Sequence, residues 1–453
     1  MHQRLVTEER VDGVVPTIAF KRLVQPLLGK MLQPAQGSPD EILVHYLKAG
    51  HVGWGRLDLP EELPEMWATE TDISTLHPKV GDLLICEGGE VGRATVIGKP
   101  LPPTAIVQNS LHLVRQSQSA DVRYLRYALE HAALSGWLDI LCNKATIAHL
   151  TGDKLRHLQI PFHAASEQTR IANFLDEQTA QIDALIAEKE RLDGLLGAYR
   201  SSLISAAVTG RLDVETGAVV PTEGGATGHR KTDDTTVQTT RWPKVALKRV
   251  ANSAETLFTD GDWIEAPYIT LEGIRLVQTG NIGVGHYKEQ GYRYVSEKTF
   301  EELNCTEVYA GDMLVCRLAD PVGRACLAPD LGARMITSVD NCIVRPNLRE
   351  WNIHYLNYSL SGDEYLQGLE AMARGGTRDR VSRSMLGDVQ IAKPPLADQT
   401  RIANFLDDQT VRVDALRKHC REHITLLREY RSSLISAAVT GQLDIDNFKR
   451  GVA

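Results

Sequence analysis

One segment of this sequence occurs twice. Glu167-Gln168-Thr169-Arg170-Ile171-Ala172-Asn173-Phe174-Leu175-Asp176 returns as Asp398-Gln399-Thr400-Arg401-Ile402-Ala403-Asn404-Phe405-Leu406-Asp407, and Tyr199 through Gly210 returns as Tyr430 through Gly441 without a change. The offset is 231 residues in a chain of 453, and 30 of the 47 positions from Glu167 to Asp213 are identical. A repeat on this scale constrains the fold before any local propensity does, because the chain has to fold as two copies of one unit. The same offset pairs Val91-Gly92-Arg93-Ala94 with Val322-Gly323-Arg324-Ala325, Tyr124-Leu125 with Tyr355-Leu356, Tyr127 with Tyr358 and Thr146 with Thr377. With a slip of one residue, Gly81-Asp82 falls opposite Gly311-Asp312, and Gly50, Val52 and Gly53 opposite Gly280, Ile282 and Gly283. The duplicated unit is therefore a whole half: a divergent globular region followed by a nearly invariant tail. Glu215 to Thr240, rich in Gly, Thr and Asp and without an apolar period, reads as the linker between halves.

The tails read as long helices. Ile171, Leu175, Gln178, Ile182, Leu185, Lys189, Leu192, Leu196, Tyr199 and Leu203 step by four and three, the seam of a coiled coil. The second copy gives Ile402, Leu406, Gln409, Val413, Leu416, Cys420, His423, Leu427, Tyr430 and Leu434. Ser166 and Asp398 are the expected N-caps, and Gly210 and Gly441 the stops. Two packings compete: each helix lies on its own domain, or the two pack on each other, antiparallel, relating the halves by a pseudo-twofold axis. In the second, about 40 helical residues span ~60 Å at ~1.5 Å per residue and act as a ruler.

Composition bounds the function. The chain is 43% hydrophobic and 24% charged with a formal net charge of -8, which argues against coating nucleic acid over the whole surface but allows local basic grooves. No apolar run approaches the ~18–20 residues of a membrane span, and the first residues lack a signal-peptide core, so a cytoplasmic location without membrane contact is expected. Seven scattered cysteines show no zinc-site spacing and are expected to be reduced.

At the repeated tails the chain resembles the specificity (S) subunits of type I restriction-modification systems. Across essentially the full length it carries a start like Trp242-Pro243-x-Val245-x-Leu247, an internal Gln278-Thr279-Gly280-Asn281-Ile282, a Gly-Asp-Leu/Met-Leu strand at Gly81–Leu84 and Gly311–Leu314, the Glu167-Gln-x-Arg-Ile171 tail and Leu203-Ile-Ser-Ala-Ala-Val-Thr-Gly210. The first half departs at its start, where Val15-Pro16-Thr17-Ile18-Ala19-Phe20-Lys21-Arg22 replaces the Trp-led opening, and Lys144-Ala145 precedes Thr146 without the Gly found before Thr377. The resemblance implies an α/β fold of α+β type, with two target-recognition domains in tandem pseudo-twofold repeat separated by two long antiparallel coiled-coil helices. On this reading 1–165 and 242–396 are the recognition domains, 166–214 and 397–446 the helical spacers, 215–241 the linker and 447–453 a tail. It further implies that each domain reads half of a bipartite double-stranded DNA site while the helices dock methyltransferase (M) subunits, two per S, with restriction (R) motor-endonuclease subunits joining later. Adenine-N6 methylation from S-adenosylmethionine belongs to the M subunits, and this chain itself needs no cofactor, metal or catalytic residue.

For DNA contact the first candidate is Arg374-Gly375-Gly376-Thr377-Arg378-Asp379-Arg380-Val381-Ser382-Arg383, with four arginines, hydroxyls and two glycines that allow close backbone approach. Its sister is Asn143-Lys144-Ala145-Thr146-Ile147-Ala148-His149, followed by Lys154, Arg156 and His157, and Asn281 joins the set. The bland reading of these loops is a solvated charged turn. Because the sisters differ at nearly every side chain, the two half-sites are expected to differ. Arg93 and Arg324 suit a structural or a DNA-facing role equally, and Lys21-Arg22 and Lys248-Arg249 suit surface pairing better than phosphate binding. The residues of the helical spacer or its partner interface are taken as Ile171, Leu175, Leu185, Leu196, Tyr199, Ile402, Leu406, Leu416, Leu427 and Tyr430.

Catalytic motifs are missing. Leu28-Gly29-Lys30-Met31 lacks the upstream Gly and the hydroxyl of a phosphate loop. Pro39-Asp40 and Pro329-Asp330 lack the acidic-x-Lys of a nuclease, and there is no Asn/Asp-Pro-Pro-Tyr/Phe methylation motif. His419-Cys420-Arg421-Glu422-His423 matches the His-x-x-Glu-His of inverted zinc peptidases but falls within the helical repeat. Two rivals remain beside the DNA reading: an adaptor whose coiled coil and variable domains bind proteins, and a metalloenzyme built on His419 and His423.

Overall fold

The computed structural model describes residues 15–117, 120–142, 149–219, 242–373 and 380–448. By internal contacts the chain divides into two units, Met1–Lys189 with Glu422–Ala453, and Glu190–Arg421.

The first unit is built around a four-stranded antiparallel sheet in the order Pro26–Leu28, Leu111–Val114, Leu83–Cys86, Ala94–Val96. All four residues of Leu83–Cys86 are buried because the strand has core on both sides. Leu83 and Ile85 pack with the helix Val122–Leu134, and Leu84 and Cys86 pack into a second core with Leu47, Val107 and Leu111, the period-two alternation of a strand in a middle layer. Beside it lies a three-stranded sheet, Glu65–Ala68, Ile42–Leu47, Ile106–Val107. Thr17–Ala19 pairs antiparallel with Gln159–Pro161, joining the beginning of the domain to its end.

The second unit repeats this plan. Its central sheet runs Leu257–Asp260, Asn341–Arg345, Met313–Cys316, Ala325–Leu327, with Met313 and Val315 facing one core and Leu314 and Cys316 the other. Lys244–Ala246 pairs with Gln390–Ala392 as the closing ladder. Each Gly-Asp before the central strand has one physical explanation. Gly81 and Gly311 take φ of +91° and +87°, a region glycine enters without strain. Asp82 and Asp312 accept the backbone N–H three residues back and pair with Arg115 and Arg345.

Two 44-residue helices follow the domains, Ala165–Val208 and Leu396–Val439. They begin earlier than the expected caps, so Ser166 and Asp398 lie within the first turn. Gly210 and Gly441 terminate them at φ of +74° and +70°. Arg211 N–H and Gln442 N–H return to the carbonyls of Ala206 and Ala437 in a Schellman closure.

Both packings foreseen for the helices occur, on different stretches. In the first unit Ile171, Ala172 and Leu175 enter the core of the preceding domain, and Leu434, Ile435, Ala438 and Val439 from the end of the second helix enter the same core. The second unit mirrors this, with Ile402, Ala403 and Leu406 beside Leu203, Ile204, Ala207 and Val208. Within each unit the helices run antiparallel. Asp193 meets Arg421 at 3.2 Å and Arg200 meets Asp414 at 3.1 Å in the second, and Asp183 meets Arg431 at 2.9 Å in the first.

The seam differs from the strict heptad. On the second helix Ile402, Leu406, Thr410, Val413, Cys420 and Ile424 are buried, a face that advances close to 3.6 residues per turn. A straight helix drifts ~20° per heptad from a 3.5-residue seam. Leu185, Tyr199, Leu416 and Tyr430 consequently turn outward and are 45%, 52%, 54% and 47% exposed. Leu196 and Leu427 are half-buried, and Thr179 and Thr410 occupy the buried face in place of Gln178 and Gln409.

Candidate nucleic-acid interface

Arg374, Thr377 and Arg378 of the second loop, and Lys144 and Thr146 of its sister, lie outside the described residues. The structure places the residues that flank them. In the first half the helix Gly152–His157 is capped by the Thr151 side chain and buries Leu155. It packs on the short 3-10 turn Phe20–Arg22, whose Phe20 is fully buried. That contact brings together side chains 136 positions apart: Lys21 Nζ lies 2.7 Å from His157 Nε2. Lys154 donates to the backbone carbonyl of exposed His149 at 3.1 Å. Arg22 and Arg156 are exposed, and among the described residues neither forms an ion pair.

Behind this surface His112 is 1% exposed and hydrogen-bonds through Nε2 to the Leu150 carbonyl at 2.8 Å. Burial pushes its pKa below the ordinary imidazole value. With Nε2 carrying the proton for that bond, Nδ1 is left without a partner among the described residues, the state of a neutral ring.

The corresponding surface of the second half is organised differently. Arg383 opens the helix Arg383–Asp388 behind the Ser382 cap and pairs with Asp260 at 3.6 Å. Arg380 pairs with Asp340 at 3.1 Å, and Lys248 with Asp388 at 2.6 Å. Each of these cations has a carboxylate, as surface pairing of Lys248 anticipated. Lys21 has an imidazole instead. The two surfaces thus share backbone geometry and an exposed arginine on the turn, Arg22 or Arg249, and differ in the helix packed against it.

Asn281 is corrected to a structural role. It is 2% exposed, its Oδ1 accepts from Gln278 N–H, and its Nδ2 donates to the carbonyls of Lys288 and Gln290, so its amide is used within its own loop. Arg324 resolves the same way, donating to the carbonyls of Ile282, Leu318, Pro321 and Thr279 while 8% exposed. Arg93 reaches the Ala49 carbonyl at 2.9 Å and Glu90 at 3.2 Å. Gln168 and Gln399 are fully buried and tie each long helix to its domain, accepting from Asp121 N–H and Asn352 N–H and donating to the carbonyls of His163 and Pro394. Arg324 and the pair Gln168 and Gln399 thus form internal braces.

Ile171, Leu175, Ile402 and Leu406, expected at a partner interface, are inside domain cores. Leu185, Tyr199, Leu416 and Tyr430 keep apolar surface in solvent. His419 and His423 sit on the second long helix, and among the described residues no three His, Cys, Asp or Glu side chains converge on a metal position. No helix among the described residues is long and apolar enough to cross a membrane.

Comparison with known proteins fits this arrangement. The family profile described as "Type I restriction modification DNA specificity domain" matches residues 67–192. The chain is 22% identical over 319 residues to the type I restriction enzyme EcoBI specificity subunit of Escherichia coli, covering 69% of this chain and 64% of that one. It is 19% identical over 305 residues to the EcoDI specificity subunit of the same organism, covering 66% and 65%. The chain therefore spans just under two thirds of the length of these curated relatives. Among solved structures, a chain from work described as "Structural basis underlying complex assembly and conformational transition of the type I R-M system" superposes with a TM-score of 0.63 at 16% identity, over 96% of this chain and 100% of that one.

Proposed function

We propose that the chain is a DNA specificity subunit of the type I restriction-modification kind, as its resemblance to such subunits suggests, and that it directs a methyltransferase to one asymmetric, interrupted DNA sequence. Each recognition domain reads one half-site. The paired helices set the unread spacer and dock two M subunits, which carry S-adenosylmethionine and methylate adenine N6, and R subunits join that core. The chain supplies no catalytic residue of its own.

One observation carries the reading: Gln168 and Gln399 brace both halves alike, whereas the helices Gly152–His157 and Arg383–Asp388, packed on like turns, differ in residue and charge. Two like scaffolds bearing unlike side chains suit two unlike half-sites, because base edges are distinguished by the side chains that reach them. The exposed apolar side chains of Leu185, Tyr199, Leu416 and Tyr430 support docking of M subunits on the helices.

The test is modified-base sequencing of DNA from cells expressing this chain with its neighbouring methyltransferase, against the methyltransferase alone. N6-methyladenine appearing only with both, at one interrupted asymmetric motif, is the expected result. A stable complex with no new methylation and no salt-dependent DNA affinity would favour the protein-binding adaptor instead.

A further inference from the structure

The repeat makes each half a control for the other, and one buried site differs between them. In the first half the Arg126 guanidinium lies 3.6 Å over the Tyr127 ring and 3.3 Å from Glu130, with 7% of either charged side chain exposed. Glu130 also holds Arg431, which reaches Asp183 at 2.9 Å, and Tyr127 donates to Asp176 at 2.9 Å. Gly55, at φ +67°, lets the guanidinium in, since a Cβ there would stand 2.6 Å from Arg126 Nη1.

The second half keeps this frame without its centre. Gly285, at φ +76°, donates to the Ala325 carbonyl as Gly55 does to Ala94. Tyr358 donates to Asp407 at 2.7 Å, as Tyr127 does to Asp176, and Arg200 pairs with Asp414 at 3.1 Å. Asn357 replaces Arg126 and Ser361 replaces Glu130. The frame now encloses a cavity of about 260 Å³ lined by Arg200, Gly285, Asn357, Tyr358, Ser361 and Asp407 among others.

Two features say what the cavity takes. In the first-half cluster Arg123, Arg126 and Arg431 meet Asp121, Glu130, Asp176 and Asp183. Its counterpart sets Arg200 against Asp407 and Asp414, with His354 at the position of Arg123 and Asn352 at that of Asp121, so that among the described residues Asp407 lacks the guanidinium that Asp176 has in Arg123 at 3.0 Å. The second feature is Asn357, 9% exposed, which ties its Nδ2 to the Gly285 carbonyl at 3.0 Å and leaves Oδ1 without a partner among the described residues. An aromatic face, a carboxylate and an unpaired acceptor around one void together suit a planar cation.

We propose that this cavity receives the guanidinium of an arginine presented by a partner protein, stacked on Tyr358, donating to Asn357 Oδ1 and paired with Asp407. The cavity keeps the aromatic ring and the carboxylate that surround Arg126 in the first half, as the tip of an arginine side chain requires. His354 and Asp407, 55% and 48% exposed, leave a way in from solvent.

The probe is N-acetylarginine methylamide, titrated into the full chain without DNA, so the result is independent of the DNA-recognition reading. Saturable binding at one site is expected, at least tenfold weaker for the lysine analogue and abolished in Asn357→Arg, which supplies the chain's own guanidinium as the first half does. Should that variant fail to fold, the upfield ring-current shift of the ligand's Cδ protons against Tyr358, read in the unaltered chain, decides instead. Binding unchanged by Asn357→Arg, no ring-current shift, or saturation by inorganic phosphate in place of the arginine probe would overturn the assignment.

Discussion

Burial lowers the pKa of His51, His112 and His131 from the ordinary imidazole value, and all three belong to the first unit. Below about pH 6.5, the unperturbed imidazole pKa, the unfolded chain takes up protons that these folded rings refuse. Stability from the neutral rings is therefore complete above that pH and falls as pH drops below it. Hydrogen exchange, corrected for intrinsic rate, should show Leu111–Val114 losing protection between pH 7 and pH 5.5 more than Asn341–Arg345, where Ile343 stands in place of His112; equal loss in both strands would refute this. Glu130→Ala strips a buried carboxylate from Arg126 and Arg431 and should cost about 3 kcal/mol in denaturant unfolding. Ser361→Ala, at the equivalent place, should cost under about 1 kcal/mol, since its hydroxyl only donates to the Asn357 carbonyl. Asn281 shows the limit of reading residue types. Its motif was legible, but a buried amide and a DNA-facing amide look alike until the neighbouring carbonyls are placed.

The helices were legible in existence and length, because the repeated apolar period leaves little choice. Their seam was not: a list stepping by four and three over ten positions fits 3.5 and 3.6 residues per turn nearly equally, and only accumulated drift exposes Leu416 and Tyr430 while burying Val413 and Ile424. Nor was the docking of each helix end into a core distant in sequence, as when His163 hydrogen-bonds the Val439 carbonyl at 2.8 Å and Tyr355 donates to that of Val208 at 3.1 Å. Fully burying an aliphatic side chain is worth about 1.5–3 kcal/mol, so Leu434→Ala and Ile435→Ala should each lower the melting temperature measurably, whereas Leu426→Ala, 61% exposed in the free chain, should leave it unchanged. Adding one turn between Leu185 and Leu196, and one between Leu416 and Leu427, lengthens both helices by ~6 Å. On the proposed function this widens the methylated motif's spacer by one or two base pairs and leaves both half-sites unaltered. Altered half-sites with an unaltered spacer would end the ruler idea.

At the scale of the molecule, Lys21, Arg22 and Arg156 form the first unit's cationic surface. If they hold phosphates, Arg22→Ala and Arg156→Ala should weaken binding uniformly across DNA sequences, each flattening the slope of log affinity against log salt by about one. Arg383→Ala should instead alter preference in a single half-site, read from the methylated motif. The sequence by itself determined the duplication and the helices, since both rest on residue identity and period along the chain. Only the tertiary structure decided which arginines face solvent, which asparagine is a brace and which half lacks its own guanidinium. Those outcomes depend on pairs far apart in sequence, such as Phe20 with Leu155 or Arg431 with Glu130, whose proximity no local pattern encodes.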